Sequence, residues 1–111
     1  MAGSGNGVSF GIHCAAIEVR QTLAYANWYA RLRDRIARAR IDARIRRLSL
    51  GNVGDAKHVG EGVSELRIDH GPGYRVYFVR QGGTLVVLLA GGDKASQESD
   101  IKLAKSLAKN L

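Results

Sequence analysis

The segment GYRVYFVRQGGTLVVLLAGGDK, from Gly73 to Lys94, decides the fold of this 111-residue chain. Two apolar runs flank Gly82 and Gly83, and adjacent glycines between such runs are typical of a tight β-hairpin turn. The second run is apolar on both faces, which predicts a central strand that is covered on both sides. Yet Arg75 lies in the first strand, and Lys94 lies where the second strand ends. Cations at the ends of so apolar a hairpin require an explanation.

Further strands are predicted on the N-terminal side of this hairpin. The segment SELRID (64–69) reaches it through the turn HGPG, so three antiparallel strands follow one another as a meander. Near the N-terminus, residues 16–21 (AIEVRQ) alternate apolar and polar side chains, which predicts a strand with one covered face. The segment 51–62 contains four glycines and is predicted to be a loop.

Apolar residues recur at helical spacing before and after the meander. After Thr22, a suitable N-cap, an apolar stripe runs from Tyr25 to Leu48, which predicts two helices or one bent helix ending at Gly51. We expect the aromatic residues of this stripe to be core, with a base-stacking platform as the alternative. A final helix is predicted after Ser96, its expected N-cap.

The pattern therefore predicts an α+β protein with the order β-α-α-β-β-β-α. We expect a four-stranded antiparallel sheet with a mixed edge, an N-terminal helical hairpin and a C-terminal helix. Residues 1–15 are rich in Gly and Ser and are predicted to be a flexible N-terminal extension. Residues 16–111 form one domain, since no repeat or linker divides them.

The charge of the chain favours a polyanionic partner. Lys and Arg number 17 against 10 Asp and Glu, which gives a net charge of +7. The segment Arg31 to Arg47 holds eight arginines and only two aspartates, so most of the excess charge lies there. Arginine binds phosphate through a planar, two-pronged guanidinium, and nucleic acid is the commonest polyanion. A merely solvated basic face is the alternative.

Several function classes are disfavoured by what the sequence lacks. The single cysteine, Cys14, cannot form an intramolecular disulfide, which favours a reducing compartment and a cytoplasmic protein. No apolar run approaches the roughly 20 residues of a transmembrane helix, and the N-terminal residues do not resemble a signal peptide. No His/Cys spacing suits a metal, and no phosphate-binding loop of the P-loop kind is present. We therefore expect no metal, no cofactor and no membrane partner.

The remaining candidates for chemistry are cations around the sheet. Arg67 and Arg75 lie in adjacent antiparallel strands and share a face if their register has an even offset. Lys94 follows the neighbouring strand, and Lys57 and His58 lie in the predicted loop before the meander. Such a group could hold a phosphodiester and stabilise the charge that develops during cleavage. The alternative is structural pairing of each arginine with Glu65, Asp69 or Asp93.

A family resemblance rests on the element order and two segments, ELRIDHGPGYRVYFV (65–79) and LLAGGDKASQESDI (88–101). From residue 16 to about residue 111 the chain resembles the RelE/ParE superfamily of bacterial toxins. Within it the chain is most similar to the addiction-module killer branch, which is related to phage Gp49 and HigB toxins. The resemblance implies the toxin of a type II toxin–antitoxin system. Its implied partner is an antitoxin, often a HigA-like protein with a helix-turn-helix domain.

The resemblance also implies an activity. Toxins similar to RelE and HigB enter the ribosomal A site and cleave mRNA as endoribonucleases (mRNA interferases), which inhibits translation. They use the 2′-hydroxyl of the RNA as nucleophile and need no metal. By position, Arg75 matches a catalytic arginine that contacts the phosphate in these toxins. Lys94 matches the basic residue that follows their last strand, and Arg67 matches a basic residue in the strand before that of Arg75. Arg75 is then expected to face the RNA from a rigid apolar platform.

One departure from the family pattern concerns proton transfer. RelE-like toxins place a tyrosine at the start of the final helix, whereas this chain reads QESDI (97–101), with Asp100 near that place. The candidates for a general acid or base are therefore Asp93, Asp100 and His58. The residues predicted to dock on the backbone of ribosomal RNA are Arg38, Arg44, Arg46, Arg47 and Lys57.

Two other functions stay open on the sequence alone. A ParE-like toxin would bind DNA gyrase without cutting RNA, and a degenerate family member would not be toxic. Retention of Arg67, Arg75 and Lys94 favours the nuclease, because a gyrase binder does not need a basic sheet face.

Overall fold

The computed structural model describes residues 17–111, and the extension predicted for residues 1–15 lies outside this range. The described chain contains five strands: β1 (Glu18–Gln21), β2 (Ala56–Gly60), β3 (Val63–Ile68), β4 (Tyr74–Gln81) and β5 (Leu85–Gly92). Its helices are α1 (Leu23–Arg31), α2 (Arg35–Ser49), a 3₁₀ turn (Lys94–Ser96) and α3 (Gln97–Lys109). Within the described range, none of the helices is long and apolar enough to cross a membrane.

The strands form one sheet in the order β1-β5-β4-β3-β2, which confirms the predicted α+β class. β1 pairs in parallel with β5, and all other neighbours are antiparallel, so the mixed edge is also confirmed. The predicted hairpin is β4 and β5, joined by a turn in which Gly82 has a φ of +62°. Its second strand lies between β1 and β4 and is buried on both faces.

The predicted number of strands was wrong by one. The segment 51–62 is not a continuous loop, because Ala56–Gly60 pairs with β3 as the outer strand β2. Lys57 and His58 are exposed, and only Ala56 and Val59 pack against the core. A short edge strand of this composition lacks the apolar alternation that identifies strands in a sequence.

Helices cover both faces of the sheet. α1 and α2 pack on one face, where Tyr25, Ile41 and Leu48 are buried against side chains of β3, β4 and β5. α3 packs on the other face, where Ala104 contacts a cluster that includes Tyr77 and Leu89. Tyr25 is only 3% exposed, so core packing was the correct interpretation for this aromatic residue.

The helix boundaries follow from side-chain caps. The Thr22 hydroxyl accepts a hydrogen bond from the Tyr25 N–H, as predicted, and begins α1. The Asp34 carboxylate accepts from the N–H groups of Ile36 and Ala37 in the first turn of a new helix, so the apolar stripe is divided into α1 and α2. Ser96 is the N-cap residue of α3, as predicted, but its side chain does not cap the helix. The Ser96 hydroxyl donates to Asp100, and Asp93 caps the preceding 3₁₀ turn instead.

Two glycines at the end of β5 permit close packing on opposite faces of the sheet. The indole of Trp28 lies directly on Gly91, where a Cβ atom would clash with the ring. On the other face, the Asp100 carboxylate lies directly on Gly92. The strand end therefore accepts α1 on one side and α3 on the other only because both residues lack side chains.

We predict that Gly91→Ala destabilises the domain by about 1–3 kcal/mol, because the added methyl group forces Trp28 away from the sheet. Chemical denaturation followed by tryptophan fluorescence measures this loss. The matched control is Gly83→Ala, since a Cβ atom at Gly83 would meet no atom within 4 Å. Equal stability of the two variants would contradict the proposed packing of Trp28.

Candidate functional site

Three cations gather at the end of the sheet that carries the β3–β4 turn. Arg67 and Arg75 are direct cross-strand partners, so the predicted shared face is confirmed. Arg75 in turn pairs with Gly92 of β5. Lys94 lies beside Gly73, where an added Cβ atom would be 3.7 Å from Lys94 Cβ and 3.6 Å from Arg75 Nη1. We refer to Arg67, Arg75 and Lys94 as the cation cluster.

Two carboxylates offset part of the repulsion within this cluster. Like charges directly opposite each other in a sheet are destabilising. Arg67 Nη2 lies 3.4 Å from Asp55 Oδ1, and Arg75 Nε lies 3.4 Å from Glu65 Oε2. The alternative prediction, that each arginine pairs with a nearby carboxylate, is therefore confirmed for Arg75 and Glu65. The salt bridges of the described residues do not include Asp69, Asp93 or Lys94.

The expected exposure of Arg75 needs correction. Its side chain is only 12% exposed, because it lies over the completely buried Glu65 and donates from Nη1 to the Gly73 carbonyl at 3.0 Å. Arg75 is thus part of the interior as well as part of the cluster. Lys94 is exposed, and the Arg67 side chain is 42% exposed.

Two clefts meet at the end of β3, where the cation cluster on one face of the sheet comes close to α2 on the other face. A cleft of about 180 Å³ is lined by Arg67, Arg75 and the β3–β4 turn. A second cleft, of about 320 Å³, is lined by Arg40, Arg44 and Arg47 of α2. Ile68 and Asp69 line both clefts, so the two adjoin at the end of β3. We call this combined surface the basic groove.

Arg44, one of the residues predicted to dock on RNA, lines this groove and is also held by the fold. Its Nη1 donates to the Arg67 carbonyl oxygen, and its Nη2 donates to the Asp55 carbonyl at 3.0 Å and the Val53 carbonyl at 3.4 Å. These bonds join α2 to β3 and to the segment before β2. They use three of the five N–H donors of the guanidinium, so Arg44 has a structural role.

The other arginines of α2 divide between two faces of the helix. Arg40 and Arg47 share the face with Arg44 that lines the basic groove. Arg38 and Arg46 are spaced eight residues apart and lie on a different face, with Asp42 between them. The sequence interpretation missed Arg40, although the spacing of residues 40, 44 and 47 was visible.

His70 anchors the turn beside the cation cluster. His70 Nε2 lies 3.0 Å from Asp34 Oδ2, so the β3–β4 turn is tied to the N-terminus of α2. Backbone hydrogen bonds from α2 and the interaction with His70 lower the pKa of Asp34. The sequence interpretation assigned no role to His70, because this hydrogen bond joins residues that are far apart in the chain.

His58 lies away from the cation cluster. Its Nδ1 is 3.0 Å from the Ser64 hydroxyl, and Ser64 pairs with Phe78 on the face that α1 and α2 cover. Glu65, Arg67 and Arg75 lie on the opposite face. Lys57 is the cross-strand partner of Glu65 and is exposed. The sheet thus separates His58 from the cations with which it was grouped.

Comparisons with known proteins identify the family of the chain. The model of the family described as Phage derived protein Gp49-like matches residues 30–109, a range that contains the whole cation cluster and α2. The chain belongs to this Gp49-like family. A relative from Haemophilus influenzae, described as an uncharacterized protein, is 53% identical over 95 residues, which cover 86% of this chain and 96% of the relative. The Gp49-like family is associated with toxins of toxin–antitoxin systems.

In this Gp49-like protein, the two aspartates predicted for proton transfer flank the end of β5. The Asp93 carboxylate caps the 3₁₀ turn and accepts from the N–H groups of Ala95 at 2.9 Å and Ser96 at 3.2 Å. Asp100 accepts from the Ser96 hydroxyl and lies on Gly92. Both aspartates line a cleft of about 340 Å³ between α1, β5 and α3. Each aspartate uses one carboxylate oxygen in these bonds, and Asp100 is the one that lies on Gly92, the cross-strand partner of Arg75.

Proposed function

We propose that this protein is a toxin of the RelE/HigB type that cleaves mRNA on the ribosome. The cross-strand pair of Arg67 and Arg75, with Lys94 beside it, is the observation that carries the proposal. Cations directly opposite each other cost stability, and local rules of this kind are broken mainly at functional sites. An anion bound between the two guanidinium groups removes the repulsion, and a phosphodiester has the required charge and size.

The reaction assigned to the site is an internal transfer of the phosphodiester. The 2′-oxygen of one nucleotide attacks the adjacent phosphorus, and the bond from phosphorus to the 5′-oxygen breaks. A cyclic 2′,3′-phosphate and a 5′-hydroxyl result. The cation cluster stabilises the extra negative charge on the phosphate oxygens in the transition state, an effect that is among the largest in such reactions.

Asp100 is proposed to accept the proton of the 2′-hydroxyl. It stands over Gly92, which is the cross-strand partner of Arg75, so it lies next to the proposed phosphate site. The Ser96 hydroxyl holds one carboxylate oxygen and fixes the orientation of the group. The leaving 5′-oxygen takes up a proton from solvent.

The basic groove is proposed to position the protein on ribosomal RNA. Arg40 and Arg47 line it and form no salt bridge among residues 17–111. Contacts of arginine with phosphates fix orientation without reading the base sequence. Continuity of the groove with the cation cluster favours one path for RNA across both.

The proposed partner is a neutralising antitoxin with a HigA-like helix-turn-helix domain. Leu103 of α3 is 44% exposed and lines the cleft that Asp100 also lines. Leu107, by contrast, packs against the core and is not part of an exposed patch. An antitoxin that covers Leu103 would close this cleft, and the burial of an apolar anchor would hold the complex together.

We predict that Lys94→Ala lowers the rate of mRNA cleavage in a translating extract by about a hundredfold or more, because the variant lacks a cation at the transition state. The exposed side chain adds little to stability, so the unfolding midpoint should not change. Lys102→Ala, also on the surface, is the control and should cleave normally. Full activity of Lys94→Ala would exclude this lysine from the reaction.

We predict that charge reversal of Arg40 and Arg47 to Glu weakens co-sedimentation with ribosomes. The plot of log affinity against log salt should become shallower by about one unit for each arginine that no longer binds a phosphate. Reversal of Arg38 and Arg46 changes the net charge equally but leaves the basic groove intact, so its effect should be smaller. Equal effects of the two pairs would indicate a general effect of charge and no specific groove.

We predict that co-expression of the small protein encoded beside this gene restores growth and yields a stable complex. Leu103→Glu should abolish the rescue while leaving the toxin active, because a charge on the apolar anchor opposes burial. Leu111→Glu, at the exposed C-terminus, should still be rescued. If the Leu103→Glu variant is still rescued, Leu103 is not part of the docking surface. If none of the proteins encoded in the adjacent reading frames restores growth, the proposed antitoxin partner is ruled out.

A further inference from the structure

Beneath the cation cluster lies a carboxylate that the proposed reaction does not use. Glu65 is completely buried, although it is charged and lies in the middle of β3. Burial of a carboxylate is costly unless charged or hydrogen-bonding partners surround it. The partners of Glu65 therefore indicate what the carboxylate does.

The contacts of Glu65 come from β4 and α3. Its Oε2 accepts a hydrogen bond from Gln97 Nε2 at 2.8 Å and lies 3.4 Å from Arg75 Nε. Gln97 is the first residue of α3. Tyr77 is the cross-strand partner of Glu65, and burial together with the nearby carboxylate raises the pKa of its hydroxyl. Tyr77 thus remains a neutral neighbour of the carboxylate.

These contacts constrain the guanidinium group of Arg75 at two of its three nitrogens. Nε lies 3.4 Å from Glu65 Oε2, an ion pair without a hydrogen bond, and Nη1 donates to the Gly73 carbonyl at 3.0 Å. Nη2 forms no hydrogen bond with the described part of the chain. The side chain is 12% exposed, so little of it can move freely in solvent. A guanidinium held in this way is preorganised to present one nitrogen to a phosphate in the adjoining cleft.

We infer that Glu65 is the positioning residue of the site: its buried carboxylate fixes the Arg75 guanidinium for phosphate, and Gln97 makes this arrangement depend on the docking of α3. Glu65 acts through Arg75 and does not touch the RNA. Only the expected effect of Glu65 on the rate of mRNA cleavage rests on the proposed function. The geometry of Arg75 can be measured without any reaction.

The test is Glu65→Gln in the full chain, which retains the size of the side chain and removes its charge. We expect the Nε–H resonance of Arg75 in ¹⁵N-arginine spectra to shift and broaden as the guanidinium becomes mobile. We expect kcat for mRNA cleavage to fall about tenfold to a hundredfold, with little change in KM, because misplacement of a catalytic group mainly slows the chemical step. Glu18→Gln removes an exposed carboxylate that pairs with Arg20, and it should change neither quantity.

A second variant keeps the test decisive if Glu65→Gln does not fold. Gln97→Ala removes only the hydrogen bond from α3 to Glu65 and should shift the same Arg75 resonance by a smaller amount. An unchanged Arg75 resonance in the folded variants, or unchanged kcat, would overturn the positioning role. If the wild-type protein cleaves no RNA, the proposed nuclease function fails, and the Arg75 resonance alone decides the role of Glu65.

Discussion

A carboxylate buried inside a small domain needs charged or hydrogen-bonding partners, and Glu65 has them at Oε2, where Arg75 and Gln97 approach, while Oε1 has no hydrogen-bond partner among the described residues. This requirement joins β3, β4 and the first turn of α3 at one end of the sheet. The backbone register of β3 and β4 places Arg67 opposite Arg75. The ion pair with Glu65 then constrains the Arg75 guanidinium within the cation cluster.

The hairpin of β4 and β5 explains why cations can stand at the ends of apolar strands. Apolar residues fill the middle of both strands and bind α1 and α2 on one face and α3 on the other. Near the β3–β4 turn, Gly91 and Gly92 replace larger side chains, so Trp28 and Asp100 approach the sheet from opposite faces. The apolar part of the hairpin therefore ends in a polar surface that holds the cation cluster and the Asp100 carboxylate. We propose that this surface binds a phosphodiester; the chain belongs to the Gp49-like family, which is associated with toxins of toxin–antitoxin systems.

Much of this arrangement was predictable from local patterns. Alternation and glycine turns identified the meander, and helical spacing identified the helical segments, although it left open whether the first stripe is two helices or one bent helix. A shared face of Arg67 and Arg75 was predicted on the condition of an even register offset, which the structure confirms. The strand β2 was missed because its exposed Lys57 and His58 give no apolar alternation, and the face on which His58 lies depends on register. The structural role of Arg44 and the burial of Arg75 were also missed, because both depend on interactions between distant segments.

Mapping of mRNA 5′ ends after brief induction of this protein is the direct test of cleavage on the ribosome. We expect new 5′-hydroxyl ends inside translated reading frames, at positions set by the codon phase, and none in messages that lack a start codon. Such cuts must disappear when translation is blocked before induction. Intact messages in cells whose growth has stopped would contradict the account, and DNA-damage signalling in those cells would identify gyrase as the target.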